Sequence, residues 1–126
     1  MTLVLDAGAF IALERNDRAM WRRFKGALLA GEVPVSHGGV VGQVWRAGGP
    51  RQTVLARVLA SVDVRSLDEA AGRAAGQLLA RSGRKDVVDA AVVGLAGDGD
   101  RILTSDPGDL EPLLRGAGVE AVVVRV

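Results

Sequence analysis

The sequence predicts an α/β fold in which a mainly parallel sheet of about five strands lies between two layers of helices. Short runs rich in Val, Leu and Ile recur along the chain without clean alternation, and stretches with helical periodicity separate them. Strands without alternation are typical of sheets covered on both faces. Strands that alternate with helices are joined by crossovers, which make neighbouring strands parallel.

The predicted strands are short apolar runs spread over the whole chain. They are residues 2–5, 33–36, 62–67, 101–105 and 121–126. No low-complexity linker, charge block or internal repeat divides the 126 residues, so we expect a single domain over residues 1–126.

Helices are predicted in most of the gaps between these strands. They cover about residues 17–30, 38–47, 51–60, 67–81, 86–97 and 107–116. Asp68 is placed to cap the fourth of them, Pro107 suits the first turn of the last, and Gly31 is placed to end the first. No helix is assigned between the first strand and residue 17.

Composition excludes several classes of function. The absence of cysteine excludes disulfides, zinc thiolates and thiol nucleophiles, and a single histidine argues against His-dependent acid–base chemistry. With no tyrosine and 3% aromatic residues, recognition of nucleobases by stacking is not expected. We expect a soluble cytoplasmic protein, because neither a signal peptide nor an apolar run of roughly 18 residues is visible. Arginine dominates the basic residues, which suits phosphate recognition, but arginine-rich codon usage is the favoured explanation.

Acidic side chains follow two of the predicted strands. Asp6 comes directly after the first strand and precedes the small residues 7–9, and Asp106 follows the fourth strand. Ligands of parallel sheets bind beyond the carboxyl ends of the strands, where both acids are expected. Asp86 and Asp89 share the first turn of a predicted helix. If this turn lies near the strand ends, three or four carboxylates converge.

Converging carboxylates repel one another, and either protonation or a divalent cation relieves the repulsion. Oxygen ligands favour Mg²⁺ or Mn²⁺, which activates a water and stabilises the charge that develops when a phosphodiester is cleaved. On this interpretation Asp6 is a ligand, and residues 7–9 leave room for the ion and the substrate.

The alternative to a functional role is helix capping, and it differs among these acids. Asp6 and Asp89 lie at no evident cap or turn, which favours function. For Asp86 capping and function are equally supported, whereas Asp106 matches the Asp6 pattern although it precedes a proline. For Asp109 helix-turn chemistry or a supporting role is the favoured interpretation.

Three other α/β classes do not match the chain. A haloacid-dehalogenase-type phosphatase needs a second Asp where this chain has Gly8. A receiver domain needs an acidic pair at the first strand end and a late lysine, whereas the only lysines are Lys25 and Lys85. A dinucleotide-binding fold needs G-x-G-x-x-G after the first strand, and "DAGAFIALE" lacks it.

Four segments, in order, resemble the PIN-domain family and more closely its VapC-type toxins, found in bacterial toxin–antitoxin pairs. They are "LVLDAGAFIALE", "VPVSHGGVVGQVWRAGGPRQ", "DVVDAAVVGLA" and "ILTSDPGDL", and they span nearly the whole chain. The resemblance implies a PIN-like three-layer fold and a Mg²⁺- or Mn²⁺-dependent endoribonuclease. Asp6 and Asp89 would then be metal ligands, and Asp106 would complete or support the site.

The resemblance also implies supporting residues and partners. Asp86 is a candidate extra ligand, and Thr104 or Ser105 would orient a carboxylate or a water. RNA would be the substrate. Family members are typically dimers, silenced by a cognate antitoxin whose tail enters the acidic groove.

One departure from the family concerns its second acid, which is usually glutamate and is replaced here by Gln43. The amide still offers an oxygen but removes one charge, so we expect weaker metal binding or compensation by Asp86. A non-catalytic PIN-fold module that binds RNA or protein remains the alternative.

Five further residues carry weaker indications of contact with RNA. Arg46 and Arg51 could hold RNA phosphates or simply be solvated. His37, as a lone histidine after a strand, is more simply incidental. Packing is favoured over base stacking for Trp21 and Trp45.

Overall fold

A computed structural model describes residues 1–126 and contains five strands and seven helices. In chain order they are β1 Leu3–Leu5, α1 Ala7–Glu14, α2 Arg18–Leu29, β2 Val35–His37, α3 Gly38–Val44, α4 Pro50–Leu59, β3 Asp63–Arg65, α5 Glu69–Ser82, α6 Val87–Gly94, β4 Arg101–Thr104, α7 Pro107–Ala117 and β5 Val122–Arg125. All the predicted strands and helices are present, with ends that differ by a few residues.

The strands form one all-parallel sheet in the order β3-β2-β1-β4-β5. The first three strands move outward from the centre, and the chain then returns to place β4 on the other side of β1. Because crossovers between parallel strands are right-handed, this reversal moves the later helices to the opposite face. Accordingly α1 packs with α2, α3 and α4, whereas α5, α6 and α7 pack with one another. The predicted three-layer α/β fold is confirmed.

The helix α1 was missing from the predicted elements, and its composition explains why. Its sequence AGAFIALE is apolar on every side, so it lacks the periodicity that marks an amphipathic helix. Ala9, Phe10 and Leu13 are buried beneath the other helices of its layer. Such a helix forms because most of its surface is covered by the protein, and Ile11, at 38%, is its only exposed residue.

Burial is uneven across the sheet. The central strands β1 and β4 are almost fully buried, as the lack of alternation predicts. The edge strand β3 departs from that prediction, since Asp63, Val64 and Arg65 are all exposed. Arg65 pairs with Asp63 at 2.8 Å, and charged side chains at an edge discourage pairing with another chain.

The longest helix, α5, has 14 residues, and no helix here has both the length and the apolar character needed to span a membrane.

Candidate active site at the carboxyl end of the sheet

The reversal of strand order lies between β1 and β4, where open α/β sheets bind their ligands. Asp6 directly follows β1, and its backbone N–H donates to the Leu103 carbonyl of β4 at 3.0 Å. Ser105 and Asp106 follow β4 at the same edge. The two acid-tipped strands of the sequence are therefore neighbours in the sheet.

Asp6 is buried, and hydrogen bonds fix both of its carboxylate oxygens. Oδ1 accepts from the backbone N–H of Ala7 at 2.8 Å, and Oδ2 accepts from the Thr104 hydroxyl at 2.7 Å. Asp6 is thus the N-cap of α1, so the expectation that it lies at no cap is wrong. A carboxylate has about four acceptor positions, so these two bonds leave capacity for a cation.

The small residues after Asp6 serve packing, which corrects the expectation that they leave open space. A Cβ atom on Gly8 would lie 2.7 Å from both the backbone nitrogen and the Oγ of Ser105. Ala9 is fully buried in the core. Only glycine at position 8 lets the first turn of α1 touch the end of β4, which brings Asp6 against Thr104.

The Thr104 hydroxyl contacts the Asp6 carboxylate and the backbone of Asp106. Its buried hydroxyl donates to Asp6 and accepts from the backbone N–H of Asp106 at 3.1 Å. The exposed Asp106 carboxylate makes no capping bond to α7, and its Oδ2 lies 3.4 Å from the Ser105 hydroxyl. Thr104 therefore holds one carboxylate, and the Asp106 side chain is not occupied by capping.

At the start of α6, Asp86 and Asp89 have different environments. The exposed Asp86 caps the helix, accepting from the N–H groups of Val88 at 2.9 Å and Asp89 at 3.0 Å. The Asp89 side chain is half-buried, and it makes no capping hydrogen bond. Capping thus accounts for Asp86, as one of the two interpretations predicted, but not for Asp89.

Neighbouring carboxylates perturb Asp89. Burial, and after it the charges of Asp86, Asp6 and Asp109, raise the pKa of Asp89 to about 7 against the opposing effect of Arg84. Arg84 is itself paired with Asp109 at 3.1 Å. Asp89 therefore lies in the field of acids from three different segments, those that carry Asp6, Asp86 and Asp109.

His37 is a structural contributor that the sequence interpretation underrated. It ends β2, is almost fully buried, and accepts from the backbone N–H of Gly39 at 3.0 Å through Nδ1. The neutral ring then carries its proton on Nε2, which lies 3.2 Å from the Val88 carbonyl in α6. Burial lowers the pKa of His37 below 6.5, against the raising effects of Val88 and Asp6. A neutral His37 therefore ties β2 to the turn that carries Asp89.

The glycine two residues after His37 was the sequence feature that could have indicated this structural role. A Cβ atom on Gly39 would lie 2.7 Å from Cε1 of the His37 ring. Glycines directly after a strand-end histidine mark a place where backbone must approach the ring closely.

A crystal structure of VapBC2 from Rickettsia felis bound to a DNA fragment from their promoter contains a chain with a similar architecture. The two chains superpose with a TM-score of 0.69 at 10% sequence identity, over 98% of this chain and 99% of that one. The chain has a PIN-like fold. No protein-family model and no curated protein sequence matches it.

Within the PIN-like fold, the remaining predicted residues lie on α3 and α4. Gln43 is exposed on α3. Arg46 follows α3, and its guanidinium donates to the carbonyls of Gly42 at 3.1 Å and Trp45 at 2.6 Å. Arg51 is exposed in the first turn of α4. The Arg46 side chain therefore stabilises a helix end, and the roles predicted for Gln43 and Arg51 remain predictions.

The two tryptophans are not equally buried in this PIN-like fold. Trp21 is half-buried, and its indole N–H donates to the Leu13 carbonyl at 3.1 Å. Trp45 is 40% exposed. Packing accounts for Trp21 as predicted, whereas much of the Trp45 ring is not covered by the chain.

We call the carboxyl end of the sheet, with Asp6, Asp89 and Asp106, the acidic edge. Its carboxylate oxygens are ligands of the kind that a hard cation prefers. Asp6 and Asp89 present oxygen atoms, and no basic side chain forms an ion pair with either. No group of three or more acidic or histidine side chains, however, lies close enough together to hold one ion. The structure therefore does not show Asp6, Asp89 and Asp106 as one three-acid group, and their joint role as ligands remains a prediction.

Proposed function

We propose that this protein is a metal-dependent endoribonuclease, the VapC-type toxin of a toxin–antitoxin pair. The observation that carries the proposal is that the buried Asp6 and the half-buried Asp89, at the carboxyl end of a PIN-like sheet, have no basic ion-pair partner. Burial and the charges of Asp86 and Asp6 raise the pKa of Asp89, which agrees with this arrangement. Carboxylates forced together without paired cations are suited to a divalent ion. The likeness to a VapBC2 structure supports the same class.

In this proposal Asp6 and Asp89 hold Mg²⁺ or Mn²⁺, and Asp106 contributes through water. Two protein carboxylates suffice because Mg²⁺ retains several waters and accepts phosphate oxygens. The bound ion would supply a Lewis acid that lowers the pKa of an attacking water and offsets the charge developing on the phosphodiester.

The protein's own part is to fix its carboxylates before the substrate arrives. The hydroxyl of Thr104 and the N–H of Ala7 hold Asp6 in one orientation. His37 holds the turn that carries Asp89 through the Val88 carbonyl. Both nitrogens of His37 are occupied by these backbone contacts, so we propose no histidine base.

A cognate antitoxin is the protein partner that this function requires. The similar VapBC2 structure is that of a complex bound to promoter DNA, which supports such a partner for this chain. A homodimer, an RNA substrate and a cytoplasmic location are part of the same proposal.

A non-catalytic PIN-fold module that binds RNA or protein is the second candidate. It is favoured by Gln43 in the place of the family's usual glutamate and by the lack of a three-acid group. In that case the acidic edge would be a remnant of a metal site.

Cleavage of RNA by the Asp6→Asn variant distinguishes the two candidates. Asparagine keeps the shape of aspartate and one acceptor oxygen for the Ala7 N–H, but its amide nitrogen cannot accept from the Thr104 hydroxyl, and the charge is lost. We expect cleavage in Mg²⁺ or Mn²⁺ to fall by at least about 100-fold, because even residues that merely orient a metal ligand are worth about 10- to 100-fold. The rate would be measured on a labelled RNA, and circular dichroism would verify the fold.

The matched control is Glu120→Gln, which removes one exposed acid at a distant turn and should cleave like the wild type. Equal cleavage by Asp6→Asn and the wild type would overturn the catalytic assignment. No divalent-dependent cleavage by the wild type, together with RNA binding, would favour the second candidate.

A further inference from the structure

The segment that enters and forms α2 carries the densest positive charge of the chain. Residues 15–25 contain five basic side chains and one acidic one, although the whole chain has a net charge of only +1. The basic residues are Arg15, Arg18, Arg22, Arg23 and Lys25, and all are exposed. We call Arg18, Arg22 and Lys25, which follow one another along one side of α2, the basic stripe.

The charges of the basic stripe are not neutralised within the protein. The ion pairs of the structure involve the N-terminus, Arg65, Arg73 and Arg84 instead. Asp17, the only acid of the segment, accepts from the Met20 N–H to cap α2. Like charges held together on a helix repel one another, so an anionic ligand would stabilise this face.

The stripe borders a preformed depression with a rigid base. Arg18, Arg22 and Lys25 line it together with Trp21 and Leu29. Trp21 is held by its hydrogen bond to the Leu13 carbonyl and packs edge-on against Phe24 at 5.9 Å. The Lys25 ammonium lies 5.5 Å from the centre of the Trp21 ring, which helps to fix the charge in place.

The depression continues toward the acidic edge. A second depression is lined by residues that include Gly8, Arg15, Asp17 and Ser105, so it reaches the first turn of α1 after Asp6 and the residue before Asp106. The corner between α1 and α2, residues 15–18, borders both depressions. At 1.5 Å per helical residue, α1 spans about 12 Å and the stripe about 10 Å. A ligand in the site can therefore extend along this path onto the stripe.

We infer that the basic stripe of α2 binds phosphates of the RNA backbone outside the acidic site. This inference rests on the proposed function, since it supplies the substrate surface of the same site. A regular polyanion suits three cations at helical intervals, and Arg guanidinium groups match phosphate geometry. An acidic protein segment is the other ligand of this charge, but the depression has only two apolar residues with which to hold one.

The test compares RNA binding by two triple variants in EDTA, so that cleavage does not contribute. One is Arg18→Gln/Arg22→Gln/Lys25→Gln, and the other is a control with three exposed arginines changed elsewhere, Arg57→Gln/Arg73→Gln/Arg115→Gln. The probe is a fluorescent single-stranded RNA of 20 nucleotides. Binding is titrated from low to moderate NaCl.

We expect the stripe variant to bind at least about tenfold more weakly at low salt. Each phosphate contact in single-stranded RNA contributes about 0.7 to the slope of log K against log salt, so the loss of three should reduce the slope by about 2. The control variant should keep most of the affinity and slope. Equal losses in the two variants, or no loss in the stripe variant, would overturn the inference.

Two further measurements separate this inference from its alternatives. A polyglutamate peptide that binds the wild type but not the stripe variant, while RNA binding is unchanged, would overturn it in favour of an acidic protein partner. Because binding is measured without divalent ions, loss of RNA binding in the stripe variant would support the inference even if no cleavage is found. In that case only the catalytic proposal would fail.

Discussion

Asp6 at the end of β1 and Asp89 at the start of α6 both belong to the acidic edge, but their surroundings differ. Asp6 is buried, and both carboxylate oxygens accept short hydrogen bonds, from Ala7 and Thr104. Asp89 is half-buried and faces other carboxylates, which help to raise its pKa to about 7. Asp6 is therefore fixed by the fold, whereas the charge of Asp89 depends on what else binds.

This difference indicates how a metal site can be prepared without a metal. Hydrogen bonds from Ala7 and Thr104 already hold the Asp6 carboxylate in one orientation before an ion arrives. Asp89 instead gains from a cation, because the ion replaces the proton that its acidic neighbours favour. Asp6 therefore provides a ligand of fixed orientation, and Asp89 provides a carboxylate whose repulsion from its neighbours the bound ion relieves.

The largest effect is expected when the hydrogen bond that fixes Asp6 is removed by Thr104→Val. Valine keeps the shape of threonine but leaves one buried oxygen of Asp6 without its donor. We expect RNA cleavage and Mn²⁺ affinity to fall by about 10- to 100-fold, and the free energy of unfolding to fall by about 1–3 kcal/mol. Kinetics, metal titration and urea denaturation measure these three quantities.

The matched control is Thr53→Val, because the exposed Thr53 hydroxyl donates only to the Gly49 carbonyl at 3.4 Å. It should change neither cleavage nor Mn²⁺ affinity. If Thr104→Val lowers stability but leaves both activities unchanged, Asp6 does not need this bond to function.

An intermediate effect is expected from pH at Asp89. Its pKa in the folded protein, about 7, lies above the ordinary value of 3.8, so the folded state binds more protons between these limits. Its contribution to stability is therefore complete below the lower value and is lost as pH rises through about 7. Over the same range Mn²⁺ affinity should rise, by at most about tenfold per pH unit, since metal binding displaces the proton.

Asp89→Asn checks this pH dependence. The variant should lose most of the fall in stability between about pH 4 and 7, measured by denaturation without metal. It should also bind Mn²⁺ weakly at every pH. An unchanged stability profile would show that Asp89 titrates normally and that its neighbours do not act on it.

The smallest effect is expected from Gln43→Glu, which restores the acid usual in the resembled family. An added carboxylate should tighten Mn²⁺ binding a few-fold, because affinity follows the number of charged ligands. The control is Gln77→Glu on the exposed side of α5. If both variants bind Mn²⁺ like the wild type, the exposed Gln43 lies outside the site.

The sequence predicted those parts of the fold that leave a periodic pattern or a strong end residue. Apolar runs predicted the strands that lead to Asp6 and Asp106, and Asp68 marked the start of α5, where it accepts from the Ala71 N–H at 2.9 Å. The helix α1 lacks a periodic pattern because it is apolar on nearly every side, and its end residue, Asp6, was interpreted as a metal ligand instead of a cap. Missing α1 also hid the capping role of Asp6.

Contacts between distant segments could not be predicted in the same way. Gly8 is small because Ser105 lies against it, nearly a hundred residues later in the chain. His37 is buried because Val88 accepts its Nε2 proton across the fold. Each depends on the order of strands in the sheet, so no local pattern reveals it.

The most direct test of the central claim, that Asp6 and Asp89 bind one cation together, is a crystal structure of the protein with millimolar Mn²⁺. An anomalous difference map locates the ion independently of the protein atoms. We predict a peak about 2.0–2.3 Å from an oxygen of each of these two carboxylates. An edge without a peak, or an ion bound only by Asp86 and Asp109, would contradict the claim.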